Sequence, residues 1–360
     1  MRLKMRKCGF LLSALFFLFI GFSCGGSSVS GDDDSAPPED DGGIGGADDD
    51  TSDPGLPATK VDYTEALTLD TVQGSADHYD YDSDNYSVTT ETLHGTEVIV
   101  AIHDSNLSES SLVKGRLRAI TADTFSQNMI DCWHAAWHIF GGYRYDKFAV
   151  KVRSTSESAS DFSLSEAGIS VGSDGFEDDL EFNCHEMLHP WIGKLIAYES
   201  DGSENLFQEE TWIGEGAVVY YSFRNIGQAT SEADFRSGMD ERRTDYEEII
   251  GTELDLSIGE LADLIGDDTS HEAVGILYAR GALIAYLLDK QLVAAGFSLD
   301  DLMADLYENF GLTDTKYTQA DVEASLIGIT GSSYEDFFNT YLDANGEIDI
   351  NGDFELFPRE

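Results

Sequence analysis

Cys184-His185-Glu186-Met187-Leu188-His189-Pro190-Trp191-Ile192-Gly193-Lys194 is the stretch from which the rest of the chain is best read. Its core has the form HExxH. On an α-helix, residues four apart share a face, so His185 and His189 can aim ring nitrogens at one point. Zn²⁺, which takes nitrogen and carboxylate ligands in a tetrahedral shell, suits that arrangement. Glu186 is displaced around the helix and should stand beside the metal rather than bind it. From there it can take a proton from an activated water.

The flanks support a helix. Asp174-Gly175-Phe176-Glu177 approximates a capping box with Asp at its head. Glu177, Asp178 and Asp179 then place negative charge where the helix dipole favours it. Leu180, Cys184, Met187, Leu188 and Trp191 supply a buried face. Pro190 disfavours helical geometry at His189, so the helix is expected to end there.

The chain begins with a secretory signal over residues 1–23. Arg2, Lys4, Arg6 and Lys7 precede an apolar run from Phe10 to Phe22 that is short for a membrane span. Gly21-Phe22-Ser23-Cys24-Gly25 resembles a bacterial lipobox. That resemblance implies cleavage before Cys24, a lipid on its sulfur and residence in the cell envelope; ordinary secretion is the alternative. Residues 24–60 hold Gly, Ser, Pro and Asp in place of apolar groups, with no Lys or Arg between Lys7 and Lys60. Such a segment buries too little to offset its ordering entropy and reads as an acidic, disordered tether.

The formal net charge of the 360-residue chain is −48. A phosphate backbone needs a basic face, so nucleic acid is excluded as a partner, and membrane contact is expected only through Cys24. Of four cysteines, Cys132 and Cys184 lie outside the signal. They are read either as a disulfide joining the metal helix to an earlier helix or as two buried thiols.

The folded domain is expected over residues 61–345, with 346–360 as a tail. Tyr86–Thr90, Glu97–Ile102 and Phe148–Val152 have strand composition, and Phe125–Phe140 reads as a helix. That helix carries His134 and His138, again four apart but with no Glu after the first. A second metal site or a substrate-facing histidine is one reading; a packed amphipathic helix, with Trp133 and Trp137 beside them, is the blander and preferred one. Beyond the zinc helix, Trp212-Ile213-Gly214-Glu215-Gly216-Ala217-Val218-Val219-Tyr220-Tyr221 places Glu215 at the head of an apolar helical run. Its carboxylate can return as third ligand and leave a fourth position for water.

HExxH-x-W-x-x-K, then W-x-x-E-G with a Tyr-Tyr pair, resembles the glycyl aminopeptidase family of gluzincin metallopeptidases. Tyr278-Ala279-Arg280-Gly281-Ala282-Leu283 matches that family's Y-x-K-G-A-L element with Arg for Lys, and Leu287-Leu288-Asp289 follows suit. The resemblance runs from about Phe140 to Asp343. It implies His185, His189 and Glu215 as ligands of one Zn²⁺, Glu186 as general base and Tyr278 as oxyanion stabiliser. The family's large N-terminal β-domain is represented by a short β-rich segment, and its PDZ domain has no counterpart before Glu360. Its G-L-E-H element is matched only by Leu164-Ser165-Glu166-Ala167-Gly168, which makes Glu166 the candidate for binding a substrate amine.

The expected fold is α+β: a thermolysin-like zinc peptidase lobe joined to a helical C-terminal lobe, with helices at Ser298–Phe310, Thr318–Ile327 and Ser333–Leu342. The expected function is a zinc-dependent peptidase acting on peptides or proteins, an aminopeptidase in preference to an endopeptidase. A non-catalytic surface binding protein on the same scaffold is the alternative from another class.

Overall fold

The computed structural model describes residues 85–104, 122–152, 163–165, 168–171, 180–199, 211–265, 270–313, 315–350 and 352–357. The signal sequence, Cys24, the tether, Glu166 and the Asp174–Glu177 cap lie outside the described residues.

Strands β1 (Tyr86–Leu93) and β2 (Thr96–His103) form an antiparallel hairpin, registered from Tyr86 opposite His103 to Leu93 opposite Thr96. The two residues left to turn the chain are His94 and Gly95, with φ of 51° and 87°. Of the two-residue turns that match strand twist, type I′ requires such left-handed geometry at both positions. Helix α1 (Ala122–Phe140) then carries the chain across to β3 (Lys147–Val152), which runs parallel to β2. Strand β5 (Gly168–Val171) adds parallel to β3, and β4 (Ser163–Ser165) closes the far edge, giving the order β1-β2-β3-β5-β4.

Every residue from Val98 to Ile102 on β2 is buried, as a central strand covered on both faces should be. Helix α2 (Leu180–Leu188) packs against α1 and brings the HExxH residues into this core. It stops where Pro190 requires, and His189 follows in a tighter turn, its N–H donating to the Glu186 carbonyl. Trp191 stacks on Phe140 at 5.6 Å and donates its indole N–H to the Gly142 carbonyl at 2.9 Å. Cys132 and Cys184 are joined as a disulfide between α1 and α2, which resolves the pairing that the sequence left open. Closing that 52-residue separation is worth about 4 kcal/mol in the chain-entropy account.

The second half is helical: a π-helical turn at Trp212–Ala217 runs into α3 (Val218–Ala229), followed by α4 (Glu232–Glu247), α5 (Ile258–Ile265) and the long α6 (Ser270–Ala294). Then come α7 (Leu299–Leu306), α8 (Gln319–Thr330) and α9 (Glu335–Phe338). Reciprocal capping boxes start α7 at Ser298 and Asp301, and α8 at Thr318 and Asp321, each satisfying two otherwise orphaned N–H groups. Among the described residues no strand occurs past residue 300, where only an isolated bridge joins Tyr317 to Tyr198. The α+β architecture is the expected one.

The segment after residue 345, expected as a tail, packs onto the fold: Ile348, Phe354 and Phe357 are buried. Phe354 meets Tyr286 edge-on at 4.8 Å, and the Tyr286 hydroxyl accepts from the Glu355 N–H. The segment covers apolar surface of α6, and its acidic composition concealed the two aromatic residues.

Helix α6 crosses the π-helical turn at a pair of glycines. A Cβ added to Gly216 would stand 2.4 Å from the Gly281 Cα, and one added to Gly281 would stand 2.8 Å from the Gly216 Cα. Neither neighbour can yield without moving backbone. Gly216→Ala is therefore expected to lose about 1–3 kcal/mol of stability through overpacking, read from urea unfolding. An unchanged midpoint would show that the crossing is loose.

Candidate metal centre

His185 on α2 and His189 in the turn that follows it project to the same side, and their Nε2 atoms lie 3.0 Å apart. Glu215, in the π-helical turn, places Oε2 3.2 Å from the His185 Nε2 and 3.6 Å from the His189 Nε2. His189 directs Nδ1 at the Ile192 carbonyl, 3.4 Å away. That contact favours the tautomer with its proton on Nδ1 and its lone pair on Nε2, facing the cluster.

Both imidazoles are buried, and burial lowers their pKa to about 3 for His185 and about 4 for His189. For His189 the neighbouring Glu215 charge opposes that effect. Both rings are accordingly neutral at neutral pH, the form that binds metals. Three electron-rich atoms 3.0–3.6 Å apart repel unless protons or a cation lie among them. One imidazole proton can serve only one of these contacts. A Zn–N bond of 2.0–2.1 Å in a tetrahedral shell puts donor atoms about 3.3 Å apart, within the observed spread. The donor set fits Zn²⁺.

Glu186 also brings an oxygen within 4.8 Å of both ring nitrogens. It is 2 % exposed, and its Oε2 has no hydrogen-bond partner. Burial first, then the charges of Glu215 and Glu181, raise its pKa well above the carboxylate range. An orphaned, basic oxygen beside a metal site is arranged for accepting a proton. Glu215, with a side chain 17 % exposed, is raised less; burial is the main cause, opposed by His189 and by a hydrogen bond from Tyr278.

Tyr278 reaches the centre from α6, its ring stacked on His185 at 6.0 Å. Burial and the Glu215 carboxylate raise its pKa well above that of a free phenol, so the hydroxyl keeps its proton and remains a donor. Its position follows from the Gly216–Gly281 contact, since Gly281 lies one helical turn beyond Tyr278 and Gly216 adjoins Glu215.

No family model matches the chain, and no curated protein matches it by sequence. Solved structures do. An aminopeptidase N family protein from Idiomarina loihiensis superposes with a TM-score of 0.58 at 15 % identity, over 74 % of this chain and 48 % of that one. The chain has the fold of the M1 zinc metallopeptidases. A mutant M1 zinc metallopeptidase from Deinococcus radiodurans, bound to a Tyr-Ser-Ala substrate, matches with a TM-score of 0.50 at 12 % identity, over 76 % of this chain and 54 % of that one. The yeast LTA4 hydrolase matches with a TM-score of 0.52 at 16 % identity, over 75 % and 40 %. The chain thus spans about half the length of these M1-fold relatives or less.

Within this M1 fold, His185, Glu186, His189, Glu215 and Tyr278 come together. Glu166 lies outside the described residues. His134 and His138 stand on the exposed face of α1, where they are joined by His94, which the sequence reading did not single out. The signal was present as His94-Gly95 between two strands, a turn dipeptide with histidine where Asn is usual.

Glu215→Gln exchanges the charged oxygen of a candidate ligand for a neutral one. It should weaken zinc on the order of a hundredfold in competition with a chromogenic chelator, while Tyr278→Phe leaves zinc affinity unchanged. Equal affinities for wild type and Glu215→Gln would remove Glu215 from the ligand set.

Proposed function

We propose that the chain is a zinc-dependent peptidase acting as an aminopeptidase. One observation carries this reading: His185, His189 and Glu215 converge beside the buried, partnerless oxygen of Glu186. Zn²⁺ held by those three residues supplies a Lewis acid for the scissile carbonyl and its attacking water. Glu186 Oε2 would accept the proton of that water and pass it to the departing amine, a role its partnerless position beside the ligand cluster supports. The Tyr278 hydroxyl donates to the negative charge that develops on the carbonyl oxygen.

Peptides as substrates are supported by the Tyr-Ser-Ala bound to the Deinococcus radiodurans structure. Removal of N-terminal residues is supported by the aminopeptidase N family neighbour, with Glu166 proposed as partner of the substrate amine. An endopeptidase on the same fold is the second reading, and cleavage positions in a peptide library distinguish the two. A binding protein on a degenerate scaffold is disfavoured because Glu186 and Tyr278 would have no work to do.

Glu186→Gln preserves size and alters no proposed ligand. It should keep zinc at the wild-type level yet lose roughly a hundred- to ten-thousandfold in kcat. A variant that hydrolyses peptides at the wild-type rate would overturn the assignment.

We also propose that the enzyme works outside the cytoplasm, tethered through a lipid on Cys24. The Cys132–Cys184 disulfide supports an oxidising compartment. Cys24→Ser should abolish acylation and release the protein from membranes, as read by labelled palmitate and fractionation; persistent acylation would refute the anchor.

A further inference from the structure

Helix α1 carries a second pair of histidines with the spacing of the first. His134 and His138 bring their Nε2 atoms to 2.9 Å, against 3.0 Å for His185 and His189. His94, from the tip of the β1–β2 hairpin, completes the group, with one ligand nitrogen from each residue within 4.8 Å of the others. We infer that His94, His134 and His138 form a second metal site, which takes a borderline divalent transition ion such as Zn²⁺ or Cu²⁺.

Burial in the core does not account for this trio. His94 and His138 are exposed and His134 is half-buried, so the group lies on the face of α1 turned away from Trp133 and Phe140. His94 occupies a left-handed position, φ 51°, where Asn would form the turn with less strain. Its ring is held flat on Trp137, with centroids 3.6 Å apart and planes 5° from parallel. The His138 ring stands edge-on to it at 5.4 Å. The hairpin tip therefore presents an oriented imidazole to the helical pair.

Three imidazole nitrogens select against Ca²⁺ and Mg²⁺, which prefer oxygen, and in favour of Zn²⁺, Cu²⁺ or Ni²⁺. The net charge of −48 adds a field that attracts cations. With three protein ligands and solvent at hand, a fourth position is left for water or an external donor. A bound ion would join the hairpin to α1, which the Cys132–Cys184 disulfide in turn joins to the catalytic helix. It would thus stabilise the sheet edge without taking part in hydrolysis.

The inference is independent of the peptidase reading and is tested on the full protein by Zn²⁺ titration with calorimetry and metal analysis. Wild type should bind two equivalents. His94→Asn, which suits the left-handed turn, and separately His138→Gln should each lose one equivalent or weaken it at least about tenfold, leaving kcat unchanged. His185→Ala should affect the other equivalent. Cu²⁺ added to protein already holding one equivalent of zinc should give an electron paramagnetic resonance spectrum with imidazole nitrogen couplings, lost in His94→Asn. If His94→Asn and His138→Gln both bind Zn²⁺ with wild-type stoichiometry and affinity, or wild type binds no ion that depends on them, the site does not exist.

Discussion

The contact between Gly216 and Gly281 sets the geometry on which the metal centre depends. Two helical segments can meet backbone to backbone only where neither carries a Cβ. Here that approach brings Glu215 and Tyr278, far apart in sequence, together beside His185. The HExxH helix is fixed independently, by the disulfide to α1 and by Trp191 packed among Phe140, Tyr143 and Phe148. Each half of the centre thus rests on a rigid element, and the chemistry lies where they face one another.

Burial governs the electrostatics of the site. It holds both imidazoles neutral and makes Glu186 a stronger base than a surface carboxylate. Helices α3, α6 and α7 are tied together by charges that are buried at Arg224 and Asp289 and partly exposed at Asp300. Arg224 makes a two-pronged contact with Asp300, while Asp289 accepts from the Tyr220 hydroxyl and from the Leu299 N–H. Buried charges are tolerated only when paired and hydrogen-bonded. This network fixes the register of α3 on α6, and hence of Glu215 against Tyr278.

Much of this was legible in the sequence because the signals were local. The i, i+4 histidines, the break at Pro190, the strand runs on either side of α1 and the helix starts at Ser298 and Thr318 all report on neighbours along the chain. Tyr278 and Asp289 were legible only by resemblance, since a Tyr in an apolar helix packs equally well without a catalytic role. The Gly–Gly crossing and the Cys132–Cys184 pairing depend on which distant segments meet, and spacing alone does not encode that. His94 was missed for the same reason: its partners lie across the hairpin-to-helix contact. The burial of Phe354 and Phe357 was hidden by the acidic residues around them.

The central claim is that the ion held by His185, His189 and Glu215 makes this fold hydrolytic. It is tested most directly by stripping the protein with a chelator, returning Zn²⁺ stepwise and following cleavage of a peptide library against zinc bound. Hydrolysis should vanish in the stripped protein and return with zinc, releasing residues from free N-termini and sparing N-acetylated peptides. Undiminished cleavage by the metal-free protein, or none by the protein with its zinc restored, would contradict the account.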